Sequence, residues 1–308
     1  MTTRSLFTFA LLCAIAPCWT TSASAVVVCG VTTAGSDNTL NFWDSATPSN
    51  LITSVPVTGL LPNDTILGID GMLEAPEVMR LFALGSSSRL YTINPSTGAA
   101  TLVPSSGLPT ATLTGTSFGF EHDPIHPGIF RIVSDADMYV EVSYSSGAVI
   151  TTRPNLQYAT IFGPYTGTDP NIVDIGHSGN EYGSLRTELF GIDAGHDILV
   201  EHTIAQGGLL PIGPLGIDID KAGGFDIYDR HLQQSVAFAA LQPAGTSTSN
   251  FYTIDLFTGA ATLVGPIGGG LLVTSMAVIT NYGAVPEPST LSLIGIGAVG
   301  LLRKRREE

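Results

Sequence analysis

The chain has 308 residues, with 12 Lys and Arg against 26 Asp and Glu, and a net charge of −14 at pH 7. Between residues 26 and 284 only seven basic residues (Arg80, Arg89, Arg131, Arg153, Arg186, Lys221 and Arg230) face 23 acids, so this body alone carries a charge of −16. That balance excludes nucleic acid and anionic lipid as partners, because both are bound through clustered Lys and Arg. It suits divalent cations or cationic partners instead.

Residues 1–25 carry one base, Arg4, then an apolar stretch over 6–15, then Ala23-Ser24-Ala25 before Val26. Small residues at these positions predict a secretory signal peptide cut after Ala25; the alternative is an uncleaved anchor. Lipidation is not supported, since Cys13 follows Leu12 and Cys18 follows Pro17. After removal of the signal only Cys29 remains, so no intrachain disulfide can form. Its setting, Val26-Val27-Val28-Cys29, predicts a buried small hydrophobe.

Residues 26–284 form the predicted folded domain. Apolar runs of four to eight residues end in Gly, Pro, Asn or Asp, which is strand-and-turn punctuation, and no helical stripe is sustained. The runs repeat at a period near fifty. Tyr91-Thr92-Ile93-Asn94-Pro95-Ser96-Thr97-Gly98-Ala99-Ala100-Thr101-Leu102-Val103 returns as Tyr252-Thr253-Ile254-Asp255-Leu256-Phe257-Thr258-Gly259-Ala260-Ala261-Thr262-Leu263-Val264. Each is a hairpin with Gly where a positive φ is needed. Weaker copies span 40–55, 138–151 and 198–211. Ahead of the hairpins lie two further strands per repeat. The farther ones are Leu67-Gly68-Ile69-Asp70, Phe118-Gly119-Phe120-Glu121, Ile172-Val173-Asp174 and Gly224-Phe225-Asp226.

Four strands per repeat is the grammar of a propeller blade. The first repeat lacks its inner strand, which the segment 275–279 can supply, joining the chain ends and closing the ring. The predicted fold is therefore all-β, a five-bladed β-propeller; the alternatives are six blades or a pair of β-sandwiches. The motifs Phe118-Gly119-Phe120-Glu121-His122-Asp123-Pro124, Arg131-Ile132-Val133-Ser134-Asp135, Leu215-Gly216-Ile217-Asp218 and Gly223-Gly224-Phe225-Asp226, with the two hairpin blocks, resemble the bacterial family called domain of unknown function 4394 over about 40–280. The resemblance implies no activity. One departure is that Glu121-His122-Asp123 stands where that family commonly has Asp-Phe-Asn or similar.

Four inner-strand acids recur at the repeat period: Asp70, Glu121, Asp174 and Asp226, the next step landing on Ala277. Strands lining an axis would point them into a central channel. Crowded carboxylates repel, so they want a cation, raised pKa values or a ligand. Three readings stand: hydrogen bonds to the next blade's backbone as a structural device, a cation or polar-ligand site for which Ca²⁺ is the fitting metal, or paired acids for glycoside hydrolysis. Asp218, Asp220 and Asp229 form, with Asp226, a second acidic group that lacks the Gly and terminal Glu of an EF-hand loop. The six histidines (His122, His126, His177, His196, His202 and His231) lack zinc spacing and read as loop residues. No P-loop, dinucleotide fingerprint, zinc-protease motif or nucleophile elbow occurs. The polar stretch 176–186 is long for a blade turn and reads as a functional loop or merely a mobile one.

The last segment, 285–308, holds the box Pro286-Glu287-Pro288, an apolar run over 291–302, and Arg303-Lys304-Arg305-Arg306. Twelve apolar residues fall short of the ~20 a spanning helix needs. The segment closely resembles the PEP-CTERM sorting signal. That resemblance implies a bacterial exported protein, held transiently in the inner membrane, processed by an exosortase-type enzyme, and destined for the cell surface or exopolysaccharide matrix. The expectation for function is a non-catalytic binding or structural propeller with no obligatory cofactor, whose partner is a polysaccharide or a surface protein. The alternatives are an extracellular carbohydrate-active hydrolase using the inner acids, or a calcium-stabilised surface scaffold.

Overall fold

A computed structural model describes residues 25–75, 78–104, 113–159, 163–180, 184–203, 207–230 and 234–279. Nearly all of the predicted signal segment, and the whole of the tag, lie outside them. In chain order the strands are β1 (Val27–Ala34), β2 (Asp37–Asp44) and β3 (Leu51–Pro56); β4 (Ile66–Ala75), β5 (Val78–Gly85), β6 (Arg89–Ile93) and β7 (Ala100–Leu102); β8 (Phe118–His122), β9 (Ile129–Ser134), β10 (Tyr139–Ser143) and β11 (Val149–Thr152). Then follow β12 (Gln157–Tyr158), β13 (Ile172–His177), β14 (Leu189–Asp193), β15 (Ile198–Thr203) and β16 (Gly208–Pro214); β17 (Ile219–Arg230), β18 (Gln234–Pro243), β19 (Asn250–Ile254) and β20 (Ala261–Pro266); and β21 (Ser275–Ile279).

They form five sheets whose innermost strands are β21, β4, β8, β13 and β17, and together a five-bladed propeller. The first blade is β21-β1-β2-β3: the last strand completes the first sheet, with Cys29 opposite Ala277 and Val27 opposite Ile279. The predicted closure and the five hairpins are thus found in place. One strand was not foreseen. The short β12 pairs parallel to β16 and gives the fourth blade a fifth strand, anchored by buried Leu156 and Tyr158.

The core lies between blades rather than within them. Five apolar clusters fill the five blade-to-blade junctions. Alternation along a strand explains this, because successive side chains point to opposite faces. In β5, Leu81 and Ala83 enter the junction with the first blade, while Phe82 and Leu84 enter the junction with the third. In β18, Ala237, Ala239 and Leu241 face one neighbour and Phe238 and Ala240 the other. Both faces of a middle strand are covered, so it reads as an unbroken apolar run.

Glycine sets the spacing where backbones meet. A Cβ on Gly68 would lie 2.5 Å from Cβ of Phe120 on the next inner strand. At the hairpin tips, Gly98 (φ 70°) and Gly259 (φ 80°) adopt the left-handed conformation, and a Cβ there would land on the carbonyl oxygens of Pro56 and Gly213. Each tip thereby docks on the segment that leaves the preceding blade, where Thr58 N–H bonds Gly98 O at 2.9 Å and Ala261 N–H bonds Leu215 O at 2.9 Å.

Candidate functional site

The five inner strands carry the repeated acids, all four of them buried. Each reaches sideways to the next blade. Asp70 Oδ2 accepts His122 N–H at 2.7 Å, Glu121 Oε1 accepts His177 N–H at 3.0 Å, and Asp226 Oδ2 accepts Val278 N–H at 2.6 Å. Asp174 accepts from Phe225 N–H. At the fifth junction Ser275 takes over, its Oγ accepting Ile69 N–H at 2.8 Å. The aspartates also turn one oxygen back to the following N–H: Gly71 at 2.6 Å, Ile175 at 2.8 Å and Ile227 at 2.6 Å. Glu121, one methylene longer, makes only the sideways bond among the described residues. A side-chain oxygen from every blade therefore fastens the next one around the axis.

The same placement crowds negative charge. Oxygens of Asp70, Glu121 and Asp226 lie within 4.8 Å of one another, whereas Asp174 stands outside that trio. Desolvation, only partly offset by the backbone N–H groups, pushes Asp70 up to about 6. Burial, then the charge of Asp70, lifts Asp226 to about 8. Burial, then Asp70 and Asp226, holds Glu121 well above its ordinary range, and burial raises Asp174 likewise. At neutral pH the ring therefore retains protons, which relieves its repulsion.

Above Asp70 and Glu121 opens a cavity of about 620 Å³. Met72 and Glu74 of β4, the Pro124–Gly128 turn with Tyr144, and Asn180, Ser184 and Leu185 of the loop after β13 wall it. Acid and amide groups alternate with apolar and aromatic surface, and no Lys or Arg lines it among the described residues. Asn180, Ser184 and Leu185 of the 176–186 stretch singled out in the sequence stand on the rim of this cavity. Asn180 ties it to the fifth blade: its N–H donates to Asp229 Oδ2 at 2.7 Å, and its amide to Ile227 O.

Other sequence-based expectations change. Asp218 and Asp220 lie exposed at the start of β17, while Asp229 lies near its far end, so the second acidic group does not assemble. Asp220 instead accepts Gly245 N–H at 2.9 Å. Nor are the histidines all loop residues. His177 and His202 are buried on β13 and β15, and His122 ends β8; His231 lies outside the described residues. Burial holds His122 down to about 4, and His177 and His202 to about 3, so all three are neutral imidazoles. Their room comes from small neighbours: a Cβ on Gly191 would lie 2.5 Å from His202 Nε2.

Beside them runs a buried ionic chain the sequence reading missed. Arg131 Nη2 pairs with Asp123, its Nη1 with Glu141 and with the Tyr139 hydroxyl at 2.8 Å, and Arg153 closes on Glu141 at 2.9 Å. Against the desolvation of its site, Arg131 holds Asp123 down to about 2. The signal was available in Phe130-Arg131-Ile132-Val133: a rare cation inside an apolar strand must be paired.

A closed propeller with a walled cavity and a sorting motif defines the class, an exported surface-sorted β-propeller protein. The chain belongs to the family described as domain of unknown function (DUF4394), whose model matches residues 39–277, and it carries the PEP-CTERM protein-sorting motif at 284–306. That motif marks export, processing by an exosortase-type enzyme and sorting to the cell surface. No curated protein matches. Among solved structures, PorZ, an essential bacterial surface component of the type-IX secretion system of Porphyromonas gingivalis, is similar over 76% of this chain and 27% of its own, at 9% identity and a TM-score of 0.36. This chain thus spans about a quarter of that protein's length.

Proposed function

We propose that the protein is a non-catalytic surface or matrix propeller that binds a polysaccharide segment in the cavity above Asp70 and Glu121. The cavity carries this reading. Its 620 Å³ lies within the usual range for ligand sites, about 300–1,000 Å³. Its alternation of polar groups (Glu74, Asn180, Ser184) with apolar ones (Met72, Tyr144) matches a sugar ring, which has polar edges and apolar faces. The sideways hydrogen bonds of the inner acids support a structural rather than catalytic role for them, since oxygens fixed on neighbouring N–H groups are poorly placed to attack or to move protons. The signal peptide cut after Ala25, and transient residence in the inner membrane, complete the reading; an N-terminus beginning at Val26 in the exported protein checks the first.

The test is binding of the exported protein to a polysaccharide panel. Tyr144→Ala and Asn180→Ala should each weaken retention of a bound polymer by about tenfold, the loss of one good contact. A panel without any binder ends the reading. One observation favours a second reading, a carbohydrate-active hydrolase: carboxylate oxygens of Asp70 and Glu121 share the cavity floor within 4.8 Å. Turnover that disappears in Asp70→Asn with the fold intact would support it, and absence of turnover in the parent removes it. The same trio is the only grouping among the described residues suited to a Ca²⁺ scaffold. We expect the melting temperature to be unchanged by chelator, because protons and backbone N–H groups already relieve the site.

A further inference from the structure

The inner strands all run the same way. Gly68 lies against Phe120 and Asp70 bonds His122; Gly119 lies against Ile175 and Glu121 bonds His177; Gly224 lies against Met276 and Asp226 bonds Val278. Residue numbers rise together across each junction, so the strands are parallel and end on one face. The cavity opens on that face, because its walls are the segments that follow Asp70, Glu121 and Asp174. Ile279, the end of β21, lies there too, beside the start of β1. The tail that carries the sorting motif therefore leaves from the cavity face, and from an inner strand near its centre.

The tail is short. Residues 280–290 separate Ile279 from Leu291, where the apolar run begins. Eleven residues reach at most about 40 Å when fully extended. A domain of this size has a radius of gyration of about 18 Å and hence a radius of about 23 Å, so a path over its surface from one pole to the other is about 70 Å. The tail cannot carry the cavity face round to the far side.

We propose that, while the tag is in the membrane, the propeller is held with its cavity face toward the lipid surface, and that release by the sorting enzyme uncovers the cavity. The inference rests on the tag acting as a transient anchor and on the cavity being the binding site. Until release, a polymer in the surrounding space meets the opposite face.

Cysteine labelling tests this in the chain without its signal, residues 26–308, anchored in phosphatidylcholine liposomes. The native Cys29 is fully buried and offers no background. Leu185→Cys places a thiol on the cavity rim, at a side chain 91% exposed. Ser247→Cys places one in the exposed loop after β18, at the opposite end, because β18 runs antiparallel to β17. With a bulky polyethylene-glycol maleimide, the Leu185→Cys thiol should react about tenfold more slowly than the Ser247→Cys thiol. Inserting about thirty Gly and Ser residues after Gly283 should bring the two rates together, because a longer tether lifts the geometric restriction. Equal rates with the native tail, or slow labelling that persists after the insertion, overturn the orientation. Failure of the chain to float with the liposomes overturns the anchor reading and the proposal with it.

Discussion

Asp226 accepts two buried N–H groups, from Ile227 and Val278, and so joins the fifth blade to the first. Asp226→Ala leaves both donors unsatisfied and should cost about 3 kcal/mol in urea unfolding; Asp226→Asn keeps one acceptor and should cost less. Protonation adds a second measurable consequence. The raised acids bind protons in the folded state that the unfolded chain has released, so they lose stability as pH rises through their folded values, about 8 for Asp226. The lowered histidines act oppositely: the unfolded chain takes up protons near 6.5 while His177 and His202 wait until about 3, so stability is lost as pH falls below 6.5. Between pH 4 and 6.5 the two trends oppose. Calorimetry should show a plateau there, a falling limb from 6.5 to 9 that Asp226→Asn makes shallower, and a second fall below 4. The acids were legible because they recur every 51 to 53 residues; the histidines were not, because an imidazole in a mixed strand carries no pattern that separates buried from exposed.

At the scale of elements, the hairpin tips are the repeat's clearest signature and its tightest contact. Gly98→Ala and Gly259→Ala combine a left-handed φ with a Cβ placed on a neighbouring carbonyl, and each should cost about 2–3 kcal/mol in chemical denaturation. Gly245→Ala, with φ 72° and nothing within 4 Å, should cost about 1 kcal/mol. Periodicity and glycine punctuation located β6, β7, β19 and β20 because packing and turn chemistry there agree. They did not reveal β12, whose two residues are too few for any period and whose pairing depends on distant β16. They also misread the acids around β17. Gly223 and Gly224 allow that strand to bulge and continue for twelve residues, which carries Asp218 and Asp229 apart.

For the whole molecule the decisive feature is the first blade, assembled from both ends of the domain. Ending the chain at Thr274 removes the partner of β1, the acceptor for Ile69 N–H and the donor to Asp226. Such a chain should lose cooperative unfolding and associate through its freed edges, which circular dichroism and size exclusion would report. A protein threaded through a membrane from its N-terminus delivers β21 almost last, only a dozen residues ahead of the apolar run. Four blades can form during passage, but the circle stays open until translocation is nearly over. Closure of the ring thus waits on the strand that stands nearest the sorting motif.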